Sequence, residues 1–401
     1  MVKSYPTIGE YNQIIQQQGG NAFNSLRGVS FVPSRAVPIK VYLFGSGAYA
    51  AVFKGAINDT NYAIRCFLTA ENETIRRYEI ICDYLKNIQS SWKTGCELLE
   101  NEIQVNGNAY PVLKMEWLDG VLINQFVSNN IAENNVLNEL QKKLVAISDD
   151  LEKNKIGHGD LQCGNIIVTG TSTNFQVKLI DYDGMYVPNL TLKKAVEKGR
   201  SEFQHPERTM NNFNSEIDRF AFWVIITALE ALKIDKTLWQ EVMQGGFNTL
   251  DNFLFTAQDF LNPYQSALFN RLYNLNSRVL NFYLDKLKSF CVNGYASIAK
   301  PVLSGQSSGL NSEMPTAHKK CFPPLSNSQA IDQTVSNSIY KIITNGGSAS
   351  VLTSTFQKLG STPLEIDKNL YEGKVLLISN GKETKRITLN SHQNLIEINF
   401  K

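Results

Sequence analysis

The spacing of apolar and polar positions changes character three times along this chain. Ile8 to Gln17 shows the period of a short amphipathic helix that stops at Gly19-Gly20. From Pro38 to about residue 118 the apolar residues come in short runs, VPIKVYLF, AVFKGAI, NYAIRCFL and YPVLKMEWL, separated by Gly, Asn and Asp, which predicts strands. One helix interrupts them: from Asn72 to Ile88, Ile75, Tyr78, Ile81, Cys82 and Leu85 share a face. After Gly120 the period becomes helical. Between Asn135 and Lys155 the apolar stripe runs through Val136, Leu137, Leu140, Leu144, Ile147 and Leu151, and Phe220 to Leu229 reads as a buried core helix, too short to span a bilayer.

Residues 304–337 are rich in Ser, Asn, Gln and Pro with few large apolar side chains, the texture of a linker. Strand patterns return in ASVLT, KVLLIS, KRITL and LIEINF, with turn signals at Asn345-Gly346-Gly347 and Asn380-Gly381. These textures predict an α+β protein: an N-terminal extension over 1–37, a strand-rich part over 38–118, a helical part over 119–300, a linker over 301–338 and a small all-β domain over 339–401.

Composition adds limits. The 401 residues, 43% of them hydrophobic, can bury a sizeable core, and a formal charge of +2 argues against a surface that coats nucleic acid. MVKSYPTIGEYN lacks the apolar run of a signal peptide, and the six cysteines form no CxxC pair or zinc spacing. The expectation is a cytoplasmic protein with reduced thiols and no transmembrane segment.

The chemistry concentrates between His158 and Gly184, HGDLQCGNIIVTGTSTNFQVKLIDYDG. Phosphoryl transfer needs oxygen ligands for Mg²⁺ and a carboxylate that orients the attacking hydroxyl. Asn165, Asp181 and Asp183 suit the metal, and Asp160 suits the hydroxyl. The runs Ile166-Ile167-Val168 and Val177 to Ile180 read as two strands joined by a polar turn, a hairpin whose open end would bring Asn165 to Asp181. Upstream, Gly45-x-Gly47-x-x-Ala50-x-Val52 lies at a strand-turn-strand, where small residues let backbone N–H groups approach phosphates.

The set resembles the protein-kinase superfamily. His158, Asp160, Leu161 and Asn165 fall on its HRDLxxxN loop, and Asp181-Tyr182-Asp183-Gly184 on its DFG segment, in spellings similar to those of an atypical bacterial kinase-like group. The resemblance implies a bilobal kinase-like fold, with a β-rich lobe above a helical one. It further implies Gly45, Gly47, Ala50 and Val52 over the phosphates, Arg65 in the place of the phosphate-binding Lys, Glu79 as the partner of Arg65, and Met115 as gatekeeper, with the backbone of Glu116 to Leu118 at adenine. Gln204-His205-Pro206-Glu207 resembles the APE motif, whose Glu would pair with Arg278 or Arg271, and Asp218 matches the buried Asp that holds the catalytic loop.

Three departures bear on activity: Arg65 for Lys, Gln162 where a second Lys is usual, and Gly159 for the HRD arginine. The function so implied is an ATP- and Mg²⁺-dependent phosphotransferase acting on protein Ser or Thr hydroxyls. The alternative is a pseudokinase, a scaffold that binds nucleotide weakly or not at all, and a small-molecule kinase is a third reading. The last domain resembles a PEGA-type β-module through Leu359 to Leu364 and Tyr371-Glu-Gly-Lys374, which implies binding to a protein partner or a surface and no chemistry of its own.

Overall fold

The computed structural model describes residues 4–34, 42–46, 49–244, 252–305, 339–345, 350–353, 358–362, 364–367, 375–380, 384–389 and 395–399. The chain divides into two units, Met1–Leu310 and Asn311–Lys401.

The first unit opens with α1 (Ile8–Gln18), whose start is fixed by a capping box: Thr7 accepts from Glu10 N, and the Glu10 carboxylate accepts from Thr7 N. Strands β1 (Ser30–Phe31), β2 (Leu43–Ser46), β3 (Ala50–Ile57) and β4 (Thr60–Phe67) follow, then α2 (Asn72–Lys86), β5 (Cys96–Val105) and β6 (Asn108–Glu116). They form one antiparallel sheet of order β1-β3-β4-β6-β5 with β2 on β3. Tyr11 and Ile15 of α1 are buried in one core with Phe53, Ile64 and Val112 of the sheet, and the Tyr11 hydroxyl donates to Phe67 O at 2.8 Å.

Beyond β6 the chain turns helical. A small antiparallel sheet, β7 (Gly120–Leu122), β8 (Ile166–Thr171) and β9 (Asn174–Leu179), is set among α3 (Ile123–Asn129), α4 (Asn134–Lys153), α5 (Arg219–Ile234), α6 (Thr237–Gln244), α7 (Ala257–Leu261), α8 (Ala267–Tyr273) and α9 (Arg278–Asn293). Every residue from Phe220 to Leu232 is buried, so α5 is the central pillar that its all-round apolar sequence demands. This unit is thus rich in sheet at its N-terminal end and helical beyond it, which fits an α+β class. No helix among the described residues is long and apolar enough to cross a membrane, and Cys66, Cys82, Cys96, Cys163 and Cys291 are free thiols.

The second unit, in its described residues, is all strand: β10 (Ile339–Asn345), β11 (Ser350–Thr353), β12 (Lys358–Ser361), β13 (Leu364–Asp367), β14 (Val375–Ser379), β15 (Thr384–Thr388) and β16 (Leu395–Asn399). They make two sheets, β13-β10-β16 and β12-β11-β14-β15, around Tyr340, Ile342, Val351, Leu376 and Ile378. The turn signal near Asn380 does join an antiparallel pair, β14 and β15. The one at Asn345 joins strands of different sheets, since β10 pairs with β13 and, in parallel, with β16. Leu359 to Leu364 spans the step from β12 to β13; Tyr371 to Lys374 and most of the expected linker, 306–338, lie outside the described residues.

Candidate functional site

The hairpin β8–β9 is paired from Ile166↔Leu179 to Thr171↔Asn174, and beyond its open end Ile180 N donates to Asn165 O at 3.0 Å. Asn165 and Asp181 are therefore neighbours. The loop before Asn165 is clamped from below. Asp218, at the start of α5 and buried, accepts from His158 N at 2.5 Å and from Gly159 N at 2.9 Å. Burial pushes its carboxyl up from the usual range, against those donors and the nearby His158 and Arg208. Gly159 has φ +84°, and a Cβ there would lie 2.2 Å from Gly184 O, so only glycine lets the two loops meet. The Arg208 guanidinium donates to Gly159 O at 2.7 Å and to the Gln204 carboxamide, tying the segment after Phe203 to the same loop.

Above this floor lies a cleft of about 560 Å³ bounded by Val52, Ala63, Met115 and Ile180 and by the polar groups Arg65, Asp160, Asn165 and Asp181. Asp160 is held in place by three donors. Its Oδ2 accepts from Gln162 Nε2 and Asn165 Nδ2, both at 3.0 Å, and its Oδ1 accepts from Arg200 N at 3.1 Å. Arg65, on β4 opposite Val52 of β3, forks onto Asp183 through two 2.7 Å bonds, reaches Asp181 Oδ1 at 2.9 Å and donates to the Tyr78 hydroxyl at 2.8 Å. Burial alone would lower the guanidinium pKa, but the two carboxylates outweigh it and keep Arg65 charged. Asp181 carries φ +63°, a left-handed backbone unusual outside glycine and asparagine, and that turn lets both Asp181 and Asp183 face Arg65.

Sequence reasoning misassigned several partners. Glu79 is exposed, and the helix instead presents Tyr78 to Arg65 and Arg77 to the acidic loop, where Arg77 donates to Asp183 O at 3.1 Å and to Met185 O at 2.5 Å. Glu207 accepts from Tyr295 N at 3.0 Å, while Arg271 pairs with Asp235 at 3.2 Å and Arg278 is exposed. Gly45 is exposed, with open space where a Cβ would point, so no close approach requires glycine there; Gly47 lies outside the described residues. Ala50 and Val52 do line the cleft, as does Met115, the last buried residue of β6. The amides of Glu116 and Trp117 are committed to Gly95 O and Asn61 O, and Leu118 is half-buried in the connector.

Glu197 and Arg200 line the same cleft and had no signal in the sequence, because the 185–204 run is polar without a period. Burial, then Asp160, Asp183 and Asp181, push the Glu197 carboxyl up to about 7, partly offset by Arg208. Cys163, fully buried in the loop, is a filler: burial pushes its thiol up, away from reactivity.

No protein-family model matches this chain, and no curated protein does. Function is therefore read from the cleft itself. Among the described residues no cluster of three or more His, Cys, Asp or Glu side chains is arranged to hold a metal ion. The donors present do suit Mg²⁺, which takes one or two protein oxygens and completes its shell with water and phosphate. Both hydrogen bonds of the Asn165 amide nitrogen go to Asp160, one of them to its main-chain oxygen at 2.8 Å, so the Asn165 carbonyl oxygen is oriented as an acceptor. Asp181 would supply the carboxylate, its side chain 43% exposed beside the cleft.

Proposed function

We propose that the first unit is an ATP- and Mg²⁺-dependent phosphotransferase of the protein-kinase-like type, with Ser or Thr hydroxyls of proteins as acceptors. One observation carries this reading: Arg65 of β4 and Asp160, Asn165 and Asp181, which flank the β8–β9 hairpin, line a single cleft. Phosphoryl transfer asks the protein for position and charge and little else, and these four side chains divide that work. Asp160, fixed by Gln162, Asn165 and the Arg200 amide, orients the acceptor hydroxyl. Asn165 and Asp181 would hold Mg²⁺, which neutralises phosphate charge when bound. Arg65 meets the phosphates from the sheet side, and Val52, Ala63 and Met115 offer apolar walls for a base. The second unit, PEGA-like in sequence, would engage a protein partner.

A second reading is favoured by the ion pairs of Arg65. A cation already forked onto Asp183 and shared with Asp181 must give up part of that pairing to meet a phosphate, which suits a scaffold that binds nucleotide weakly or not at all. Thermal-shift titration with ATP, with and without Mg²⁺, separates the two. The phosphotransferase reading expects a metal-dependent rise in melting temperature that Asp181→Asn abolishes, together with phosphate transfer that Asp160→Asn abolishes. No shift at millimolar ATP leaves the scaffold.

A further inference from the structure

The cleft is poor in positive charge at the end where a phosphate chain would lie. Four carboxylates line it, Asp160, Asp181, Asp183 and Glu197, against two cations, Arg65 and Arg200. Arg65 is engaged by two of those carboxylates at 2.7 to 2.9 Å. Gln162, the side chain next to Asp160, is neutral and points its amide at Asp160 Oδ2. A terminal phosphate brought to Asp160 would meet an excess of negative side-chain charge, against which a cation beside Asp160, in addition to Mg²⁺ and Arg65, would act.

Arg200 is built into that position. Its own main-chain N–H donates to Asp160 Oδ1 at 3.1 Å, so its Cα is pinned beside the carboxylate that faces the acceptor. The preceding Gly199 has φ +73°, and a Cβ there would lie 2.8 Å from Asp160 Oδ1 and 3.1 Å from Gly159 O, so this turn is pressed onto the loop as closely as a backbone can be. From this anchor Arg200 lines the cleft, near enough to Cys163 that its positive charge works against the effect of burial on the thiol.

We infer that Arg200 binds the terminal phosphate of the nucleotide, so that the 185–204 segment, and not the loop at Gln162, supplies the cation that distinguishes ATP from ADP. The inference rests on the nucleotide-site reading above. It makes Arg200 a phosphate-binding residue whose anchor is its main chain, which substitution leaves intact.

Calorimetric titration of the full chain with Mg·ATP and with Mg·ADP tests it in four proteins: wild type, Arg200→Gln, Arg200→Lys and the double variant Gln162→Lys/Arg200→Gln. The wild type should prefer ATP. Arg200→Gln should lose roughly ten- to a hundredfold in ATP affinity, the range of one charge-assisted contact, with ADP affinity unchanged. Arg200→Lys should keep part of the preference, and the double variant should regain it, which no merely structural role of Arg200 predicts. Equal losses for ATP and ADP, no loss for either, or a wild type that binds both alike would overturn the role of Arg200 and leave the nucleotide site standing. A wild type that binds neither nucleotide overturns both readings.

Discussion

At the scale of single residues the site is an argument among charges. Glu197 sits with three other carboxylates, and its carboxyl is pushed up to about 7. A folded-state pKa above the ordinary value near 4.5 means the protonated form is the one the fold favours; its contribution is full below that value and is lost as pH rises through about 7. Glu197→Gln, which keeps the shape and removes the charge, should melt with the wild type at pH 4 and above it at pH 8. The difference should be about 1 to 2 kcal/mol once solvent screening of this half-buried group is allowed for, a few degrees in a melt. Equal melting at both pH values would show that Glu197 carries no such strain. Arg65 has the opposite role. Arg65→Ala leaves Asp181 and Asp183 facing each other without their cation and should cost about 3 kcal/mol in a denaturant titration. Arg65→Lys keeps the charge and loses the two-pronged contact, which should cost about half as much. A loss below 1 kcal/mol for Arg65→Ala would mean the pairs add little to the fold.

At the scale of elements, α2 governs the acidic loop through Arg77. Its guanidinium holds the carbonyls of Asp183 and Met185 and lies over the Phe213 ring at 5.2 Å, so it staples helix, loop and the start of the α5 region together. Arg77→Met preserves most of the apolar stem and removes both hydrogen bonds; it should destabilise by about 2 to 3 kcal/mol. Amide exchange should quicken over 182–187 while β8 and β9 stay protected, and quickening confined to α2 would rule out the staple. The strand hairpin and the helices were legible in the sequence because apolar period dictates both: Ile166↔Leu179 pairing follows from two short apolar runs and a polar turn. The charge pairing was not legible. A sequence lists candidate partners for Arg65, but the helix phase chooses among them. Tyr78 belongs to the same apolar stripe that predicted α2, and Glu79, about 100° further round, points to solvent. Likewise Asp218 could be placed from the apolar helix it precedes, whereas Arg208 and Arg200 reach the loop through an aperiodic segment whose path no local pattern encodes.

At the scale of the molecule, each unit has a core of its own among the described residues. The sheet and helices of the first unit bury two core clusters that touch a common partly buried residue, Tyr5, while the second unit buries Tyr340, Val351, Leu376 and Ile378 among its own strands. Cooperativity follows shared burial, since an all-or-none transition requires that losing one part of a core weakens the rest. Each unit, with its own core among the described residues, should therefore melt as its own transition. Unfolding enthalpy grows with chain length at about 0.7 kcal/mol per residue near 60 °C, so the unit Met1–Leu310 should give the larger peak by at least threefold. Ile378→Ala opens a cavity in the smaller core and costs about 2 to 5 kcal/mol, which should lower the minor transition alone. On the proposed nucleotide-site reading, Mg·ATP should raise the major one alone, in proportion to the logarithm of its concentration. A single calorimetric peak that Ile378→Ala shifts as a whole would mean that the two units fold as one, and that the cleft and the β-unit share their stability.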